Sequence, residues 1–305
     1  MILSLRDHTL EVEPGAALIM GIVNIGEDSV ADSKSLPTLS EQLSFALAQV
    51  EAGAQIIDIG VQSGRTDTPE ISPGSELSAL LPLVGELARR GVLVSVDTWR
   101  ASVAHAVVQA GAHLINDTSG LADAGIAQVA ADTGAGLVIM HTRAQPKREH
   151  FPVYRDVVGD VLEFLTTKMD QARDLGVSAE QLVIDPGPDF AKTPLQSIEV
   201  LRALESVGEL QRPILLAVSR KYFIGMLSGN APEDRLAGTL AAIEHGLAHG
   251  ANILRVHDVA AVKEFLTVRD ALSGDGAPNF AGELSDERLK WIAPKNSHTR
   301  SAQRQ

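Results

Sequence analysis

Eight short apolar runs, each ending in polar or charged residues and each followed by a longer amphipathic stretch, constrain this chain more than any other feature. The runs lie at 17–23, 56–59, 93–96, 114–115, 137–140, 182–184, 214–218 and 253–256. Helical patterns follow them at 39–51, 77–89, 101–110, 125–132, 157–175, 195–204, 235–249 and 259–272. Near-continuous apolar strands alternating with helices belong to a parallel sheet covered by helices, and eight such units in regular succession predict a (β/α)8 TIM-type barrel rather than an open doubly wound sheet. Gly53, Gly111, Gly176 and Gly250 each close a helical pattern just before a strand, as C-terminal cap residues do. Residues 2–12 are expected to form a hairpin over the bottom of the barrel. The barrel is expected as a single domain over 1–275, with 276–305, rich in Pro, Ser, Lys and Arg, as a partly disordered tail.

Composition narrows the ligand. The 305 residues carry a formal net charge of -13, and only 4% are aromatic. Such a surface repels nucleic-acid backbones at long range and has few rings for base stacking, whereas a local cluster of cations can still hold a small anion. No apolar run approaches the roughly 20 residues of a membrane span, and the charged, alternating residues 1–13 do not read as a secretory leader. Cysteine is absent, which removes disulfides and thiolate metal sites. These features predict a cytoplasmic protein with a small-molecule partner, without nucleic acid or membrane.

Barrels of this kind place their chemistry at the C-terminal ends of the strands. In chain order those ends offer Asn24 with Asp28 behind it, Gly60 with Arg65 in its loop, Asp97, Asn116 with Asp117, Met140 with His141, Asp185, Ser219 with Lys221, and Arg255 with His257. Asp97, Asn116 and Asp185 provide two acceptors and an amide suited to the edge of a heterocycle rich in N–H groups, and Lys221 adds a donor. Arg255 and His257, two apart on one strand, share a face and can grip phosphate. Asn24 is a hard oxygen ligand of the kind Mg²⁺ accepts.

The blocks Met20-Gly21-Ile22-Val23-Asn24, Gly53-Ala54-Gln55-Ile56-Ile57-Asp58, Ser95-Val96-Asp97-Thr98, Ile115-Asn116-Asp117, Val138-Ile139-Met140-His141, Asp185-Pro186-Gly187, Ser219-Arg220-Lys221 and Arg255-Val256-His257-Asp258 resemble, in this order, the dihydropteroate synthases. The resemblance covers residues 17 to about 270. It implies condensation of a dihydropterin pyrophosphate with p-aminobenzoate, with Mg²⁺ as cofactor and a homodimer as the assembly. It implies pterin binding by Asp97, Asn116, Met140, Asp185, Lys221 and Arg255, and pyrophosphate binding by Asn24, Arg65, Arg255 and His257, with Asn24 serving the metal. Asp28, Arg65 and Lys221 become the catalytic set, and Ser219, Phe190 and Tyr222 line the aminobenzoate site.

Departures from the family pattern fall on the acceptor side. Val30 stands where an aromatic is usual, the second loop reads Gly60-Val61-Gln62-Ser63-Gly64-Arg65-Thr66, Tyr222 replaces a serine that helps hold the aminobenzoate carboxylate, and Pro188-Asp189 replaces Ile-Gly. The resemblance then implies an acceptor site that admits p-aminobenzoate while binding sulfonamide mimics poorly. Two further readings stay open: a pterin-binding paralogue that is inactive or uses another acceptor, and a corrinoid-linked pterin methyltransferase module. Among the remaining polar residues, His141, His245 and His249 are expected to be structural, and Arg143, Lys147, Arg148 and His150 a solvated loop. Trp99 and Arg100 are expected to pack and cap a helix, Arg220 to turn from the site toward an acidic helix residue, and Asp58 and Asp258 to support loops through backbone hydrogen bonds.

Overall fold

Period-two alternation within each apolar run puts one set of side chains inside a closed sheet and the other under the helices. The computed structural model describes residues 1–13, 15–26, 36–62, 69–148 and 150–274. It divides into a unit spanning Met1–Glu264 and a second spanning Phe265–Gln305, whose described residues, 265–274, include the last turns of the final helix. The expected tail, 276–305, lies outside the described residues.

The strands are β1 (Ile2–Leu5), β2 (His8–Glu11), β3 (Leu18–Asn24), β4 (Ile56–Gly60), β5 (Leu93–Asp97), β6 (Leu114–Asp117), β7 (Gly136–Met140), β8 (Leu182–Asp185), β9 (Leu215–Leu216) and β10 (Ile253–Val256). The helices are α1 (Leu39–Glu51), α2 (Pro73–Arg89), α3 (Ala101–Gln109), α4 (Gly125–Thr133), α5 (Val157–Asp174), α6 (Pro194–Arg202), α7 (Leu204–Gly208), α8 (Tyr222–Ser228), α9 (Leu236–Ala248) and α10 (Val259–Ser273). Strands β3 to β10 form one parallel sheet in the order β8-β7-β6-β5-β4-β3-β10-β9. A bridge between Ile184 and Ile214, supported by Ile184 N–H donating to Pro213 O at 3.0 Å, joins its two edges and closes the TIM-type barrel.

Each apolar run became a strand, with ends displaced by no more than two residues, and on β9 the ladder shortens to a pair. Helix α2 begins four residues earlier than its pattern, because Ser72 accepts from Ser75 N–H as its N-cap and Pro73 supplies a fixed φ at the first position. Gly53 and Gly250 hold φ of 112° and 99°, the left-handed turn from helix into strand that a Cβ would strain. Helix α8, absent from the periodicity, starts directly after Lys221.

The barrel interior is built in layers. Met20, Ile56, Leu114, Val138, Val183, Leu215 and Ile253 form a dry lower layer, and the antiparallel hairpin β1–β2 seals it from below with Leu3, Leu5 and Val12. An added Cβ on Gly136 would come 2.5 Å from Leu5 Cδ2, so the seal is close-packed. Two residues further along the same strands the interior turns polar: Asp58, Ser95, Asn116, Asp185 and Arg255. The apolar floor keeps water from reaching these groups from below.

Candidate active site

At the centre of the polar layer lies Asp58, whose side chain is fully buried. Its Oδ1 accepts from Ser95 Oγ at 2.6 Å, and its Oδ2 accepts from Asn116 Nδ2 at 3.1 Å and Arg255 Nε at 2.7 Å. A buried carboxylate is tolerated only when paired and hydrogen-bonded, and here donors from three strands, β5, β6 and β10, meet that demand. This corrects the expectation that Asp58 supports a loop through backbone bonds: all three donors are side chains.

Arg255 extends the network upward, donating from Nη2 to Asp97 Oδ2 at 3.3 Å, while Thr118 Oγ1 donates to Asp97 Oδ1 at 3.1 Å. Burial works against the Arg255 guanidinium, yet Asp58 and Asp97 hold it above its ordinary value. Burial pushes the Asp97 carboxyl up to about 7, with Arg255 opposing and Asp58 adding to the rise. Asp185, also raised by burial, is steadied by Gly187 N–H donating to its Oδ1 at 2.7 Å. Lys221 is lowered by burial against the pull of Asp189 and Asp185, and its Nζ lies 4.2 Å from the centre of the Phe190 ring. Met140 is buried beside Gly187.

A cavity of about 380 Å³ opens beside these groups, lined by Phe190, Ser219, Lys221, Tyr222, Arg255 and His257 among others. Ser219 Oγ and His257 Nδ1 share a hydrogen bond of 2.8 Å, and His257 N–H donates to Ser219 Oγ at 3.2 Å. Burial, with Arg255 and Arg220 adding to it, brings His257 down to about 3. The cavity wall thus presents the Arg255 guanidinium and the Lys221 amine, with His257 brought down to about 3 beside them. Tyr222, at 56% exposure, stands at the rim. Asn24 ends β3 opposite Gly60, where an added Cβ would lie 3.3 Å from Asn24 Oδ1. Asp28, Val30 and Arg65 lie outside the described residues.

Three groups beyond the expected set, buried Lys192 and half-buried Arg220 and Arg235, hold the loops around this cavity. Arg220 makes a two-pronged pair with Asp258, at 3.0 and 2.6 Å, so Asp258 binds a side chain as well. Arg235 donates to the carbonyls of Arg220 and Lys221 at 3.0 and 3.2 Å, fixing the turn that presents Lys221. Lys192, 2% exposed, has four acceptors sharing its Nζ–H donors, the carbonyls of Gly187, Phe190 and His141 and, at 2.7 Å, His141 Nδ1. Since Lys192 is the donor there, the His141 Nε2–H donates to Asp160 Oδ1 at 2.8 Å, a structural role as expected. Arg143 closes the chain by a two-pronged pair with Asp160, at 2.9 and 3.0 Å, rather than standing alone in solvent. Arg100 pairs with Glu76 and Glu70, and His245 and His249 stack at 4.1 Å on α9, all structural.

Among the described residues, the His and Asp cluster with metal-ligand spacing is Asp7, His8 and His113, at the opposite end of the barrel. His113 Nδ1 there accepts from Val94 N–H at 3.2 Å, which leaves the proton on Nε2. Asn24, at the end of β3, offers an amide oxygen that fits an ion which keeps its waters or shares ligand oxygens.

Burial brings Lys192 down to about 7 from 10.5. Between these values the unfolded chain binds a proton that the folded chain lacks, so this residue makes stability rise with pH across that window. Lys192→Met is expected to flatten that rise and to cost about 2–4 kcal/mol near pH 8, because three carbonyls lose their donor. Urea unfolding at pH 7, 8 and 9 measures both.

A family model described as pterin binding enzyme matches residues 20–257. The dihydropteroate synthase of Synechocystis is 39% identical over 258 residues, covering 83% of this chain and 89% of that protein. The solved dihydropteroate synthase of Xanthomonas albilineans with 4-aminobenzoic acid superposes with a TM-score of 0.81 at 34% identity, covering 90% of this chain and 99% of that one. That of Yersinia pestis with a sulfonamide drug complex gives 0.84 at 34% identity, with the same coverage. The chain belongs to the pterin-binding enzymes and, within them, to the dihydropteroate synthase family.

Proposed function

We propose that this protein condenses 6-hydroxymethyl-7,8-dihydropterin pyrophosphate with p-aminobenzoate, a transfer of an alkyl group that releases pyrophosphate. The observation that carries the reading is the cluster of Asp58, Asn116, Arg255, Asp97 and Asp185 above a sealed barrel floor, beside a cavity lined by Arg255, Lys221 and His257. A pterin edge offers several N–H donors, and Asp97, Asp185 and the Asn116 oxygen are acceptors for them. Lys221 donates to a ring acceptor, Met140 packs beside the ring, and the Arg255 guanidinium lies against it.

In the reaction the arylamine nitrogen forms a bond to the pterin methylene carbon while the carbon–oxygen bond to pyrophosphate breaks, and the amine proton leaves to solvent. No protein nucleophile is required. Asp97 and Asp185 stabilise positive charge developing on the pterin, and Arg255, His257 and the Arg65 loop offset negative charge on the departing pyrophosphate. Phe190, Ser219 and Tyr222 hold the amine in line. Mg²⁺, held by Asn24 and the pyrophosphate, would supply Lewis-acid neutralisation of the leaving group. Asp28 joins the catalytic set through its place after Asn24. Because Val30 and Tyr222 depart from the family at the acceptor side, sulfonamide mimics are expected to bind weakly.

The apolar cavity of about 400 Å³ formed by Ile198, Leu201, Phe223, Ile224, Leu227 and Ala241 supports a homodimer through the α6, α8 and α9 face. Leu227, 71% exposed, marks its rim. Sedimentation is expected to give twice the chain mass and Leu227→Glu a monomer; a monomeric wild type rejects the dimer.

The activity test is steady-state turnover of the two substrates with Mg²⁺, following dihydropteroate and pyrophosphate. Condensation that stops on chelation is expected, and absence of product at any acceptor concentration rejects the activity. Above about pH 7 Asp97 is ionised and accepts from the pterin; below it the carboxyl is protonated. Pterin affinity is therefore expected to fall as pH drops through 7, and Asp97→Asn to weaken binding about 10²-fold at pH 8 and remove the pH dependence, by calorimetry.

A further inference from the structure

Strands β9 and β10 run parallel in a register that pairs Leu215 with Ile253 and Leu216 with Leu254. Carried further along both strands, the same offset sets Ser219 beside His257 and Arg220 beside Asp258. Both pairs are joined. Ser219 Oγ lies 2.8 Å from His257 Nδ1 and accepts from the His257 N–H at 3.2 Å, while Arg220 holds Asp258 by the two-pronged pair described above. Arg220 takes φ of 58°, and its N–H donates to Thr239 Oγ1 at 3.0 Å, so this strand end is also tied to α9. The Ser219 hydroxyl therefore meets the imidazole at a set distance before any ligand binds.

A hydroxyl has one proton to give and two lone pairs to receive with. Among the described residues, His257 is the hydrogen-bond partner of the Ser219 side chain, which is buried. One lone pair takes the His257 N–H, and the hydroxyl proton finds its acceptor in Nδ1. With Nδ1 an acceptor, the ring proton sits on Nε2. The opposite tautomer would strand the hydroxyl proton and offer an anion a bare Nε2 lone pair. A second ring proton is opposed by burial and by Arg255, Arg220 and Lys221, with Asp258 pulling the other way.

We propose that Ser219 is a positioning residue for the leaving group: its hydroxyl holds His257 as the Nε2–H tautomer, which gives the pyrophosphate a neutral, pre-aligned donor in the cavity that Arg255 and Lys221 also line. This role rests on the reading of the cavity as the pyrophosphate site. It is distinct from contact with the arylamine, because the second lone pair of Ser219 Oγ can still serve the amine N–H while the hydroxyl proton is committed to His257. It also excludes His257 as the base for the amine proton, since Nδ1 is engaged and Nε2 already carries hydrogen.

Magnesium pyrophosphate is titrated calorimetrically into wild type, Ser219→Ala, Ser219→Thr, His257→Gln and the double variant that combines Ser219→Ala with His257→Gln. In parallel, ¹⁵N-labelled histidine reports the tautomer of His257. Wild type is expected to show Nε2 protonated and Nδ1 unprotonated. Ser219→Ala is expected to weaken pyrophosphate binding about tenfold and to lose the single tautomer, whereas Ser219→Thr keeps both. Once His257 is Gln, Ser219→Ala is expected to add little, as for two residues acting as one unit. A wild-type His257 protonated on Nδ1 overturns the proposal. So does unchanged pyrophosphate affinity in a folded Ser219→Ala variant, including one whose only defect is a raised KM for p-aminobenzoate. An equal effect of Ser219→Ala with and without His257 overturns it too, since the serine would then not act through the imidazole. A wild type that binds no pyrophosphate overturns the reading of the cavity and this role together.

Discussion

The side-chain network of the site converges on one buried carboxylate. Asp58 sits in the barrel with its three donors drawn from β5, β6 and β10. Removing one partner of such a buried pair typically costs about 3–5 kcal/mol, because the remaining charge is left without solvent or counterion. That penalty fixes Arg255 and Asn116, and through Arg255 it fixes Asp97. The residues read as contacting the pterin are thus oriented before any ligand arrives, and little reorganisation is left for the binding step.

Around this rigid centre the loops are held by a second kind of device, basic side chains that donate to backbone carbonyls. Lys192 gathers the β8–α6 loop onto His141, and Arg235 gathers the turn that carries Lys221. Asp189 then links the two segments by capping α8. The cavity wall formed by Phe190 and Lys221 is therefore a joint product of three polar residues. Charge and chain connectivity decide its shape more than apolar packing does.

Much of this fold is legible in the sequence because its signals are local. Short apolar runs bounded by polar residues marked all eight barrel strands, and glycines at left-handed turns, such as Gly53 and Gly250, fixed their phase. Strand-end position singled out Asp97, Asn116, Asp185, Lys221, Arg255 and His257, which the fold gathers at one end of the barrel. What escaped reading is what depends on distant partners. Asp58 sits within Ile56-Ile57-Asp58-Ile59 with no local hint that its donors lie 37, 58 and 197 residues away. Helix α8 has only seven residues and no capping side chain of its own, since its cap is Asp189. Lys192 carries no sequence mark of burial, because a lysine before a helix start reads as solvated.

On this reading Asp58 orients the pterin-contacting residues through Arg255 and Asn116. Calorimetric titration of the pterin pyrophosphate into Asp58→Asn tests it most directly, with circular dichroism confirming that the barrel is retained. The replacement keeps the shape but turns one acceptor oxygen into a donor facing Arg255 and Asn116. Affinity lower by about 10²-fold or more in a folded protein is the predicted result. A folded Asp58→Asn variant that binds the pterin as tightly as wild type would contradict it.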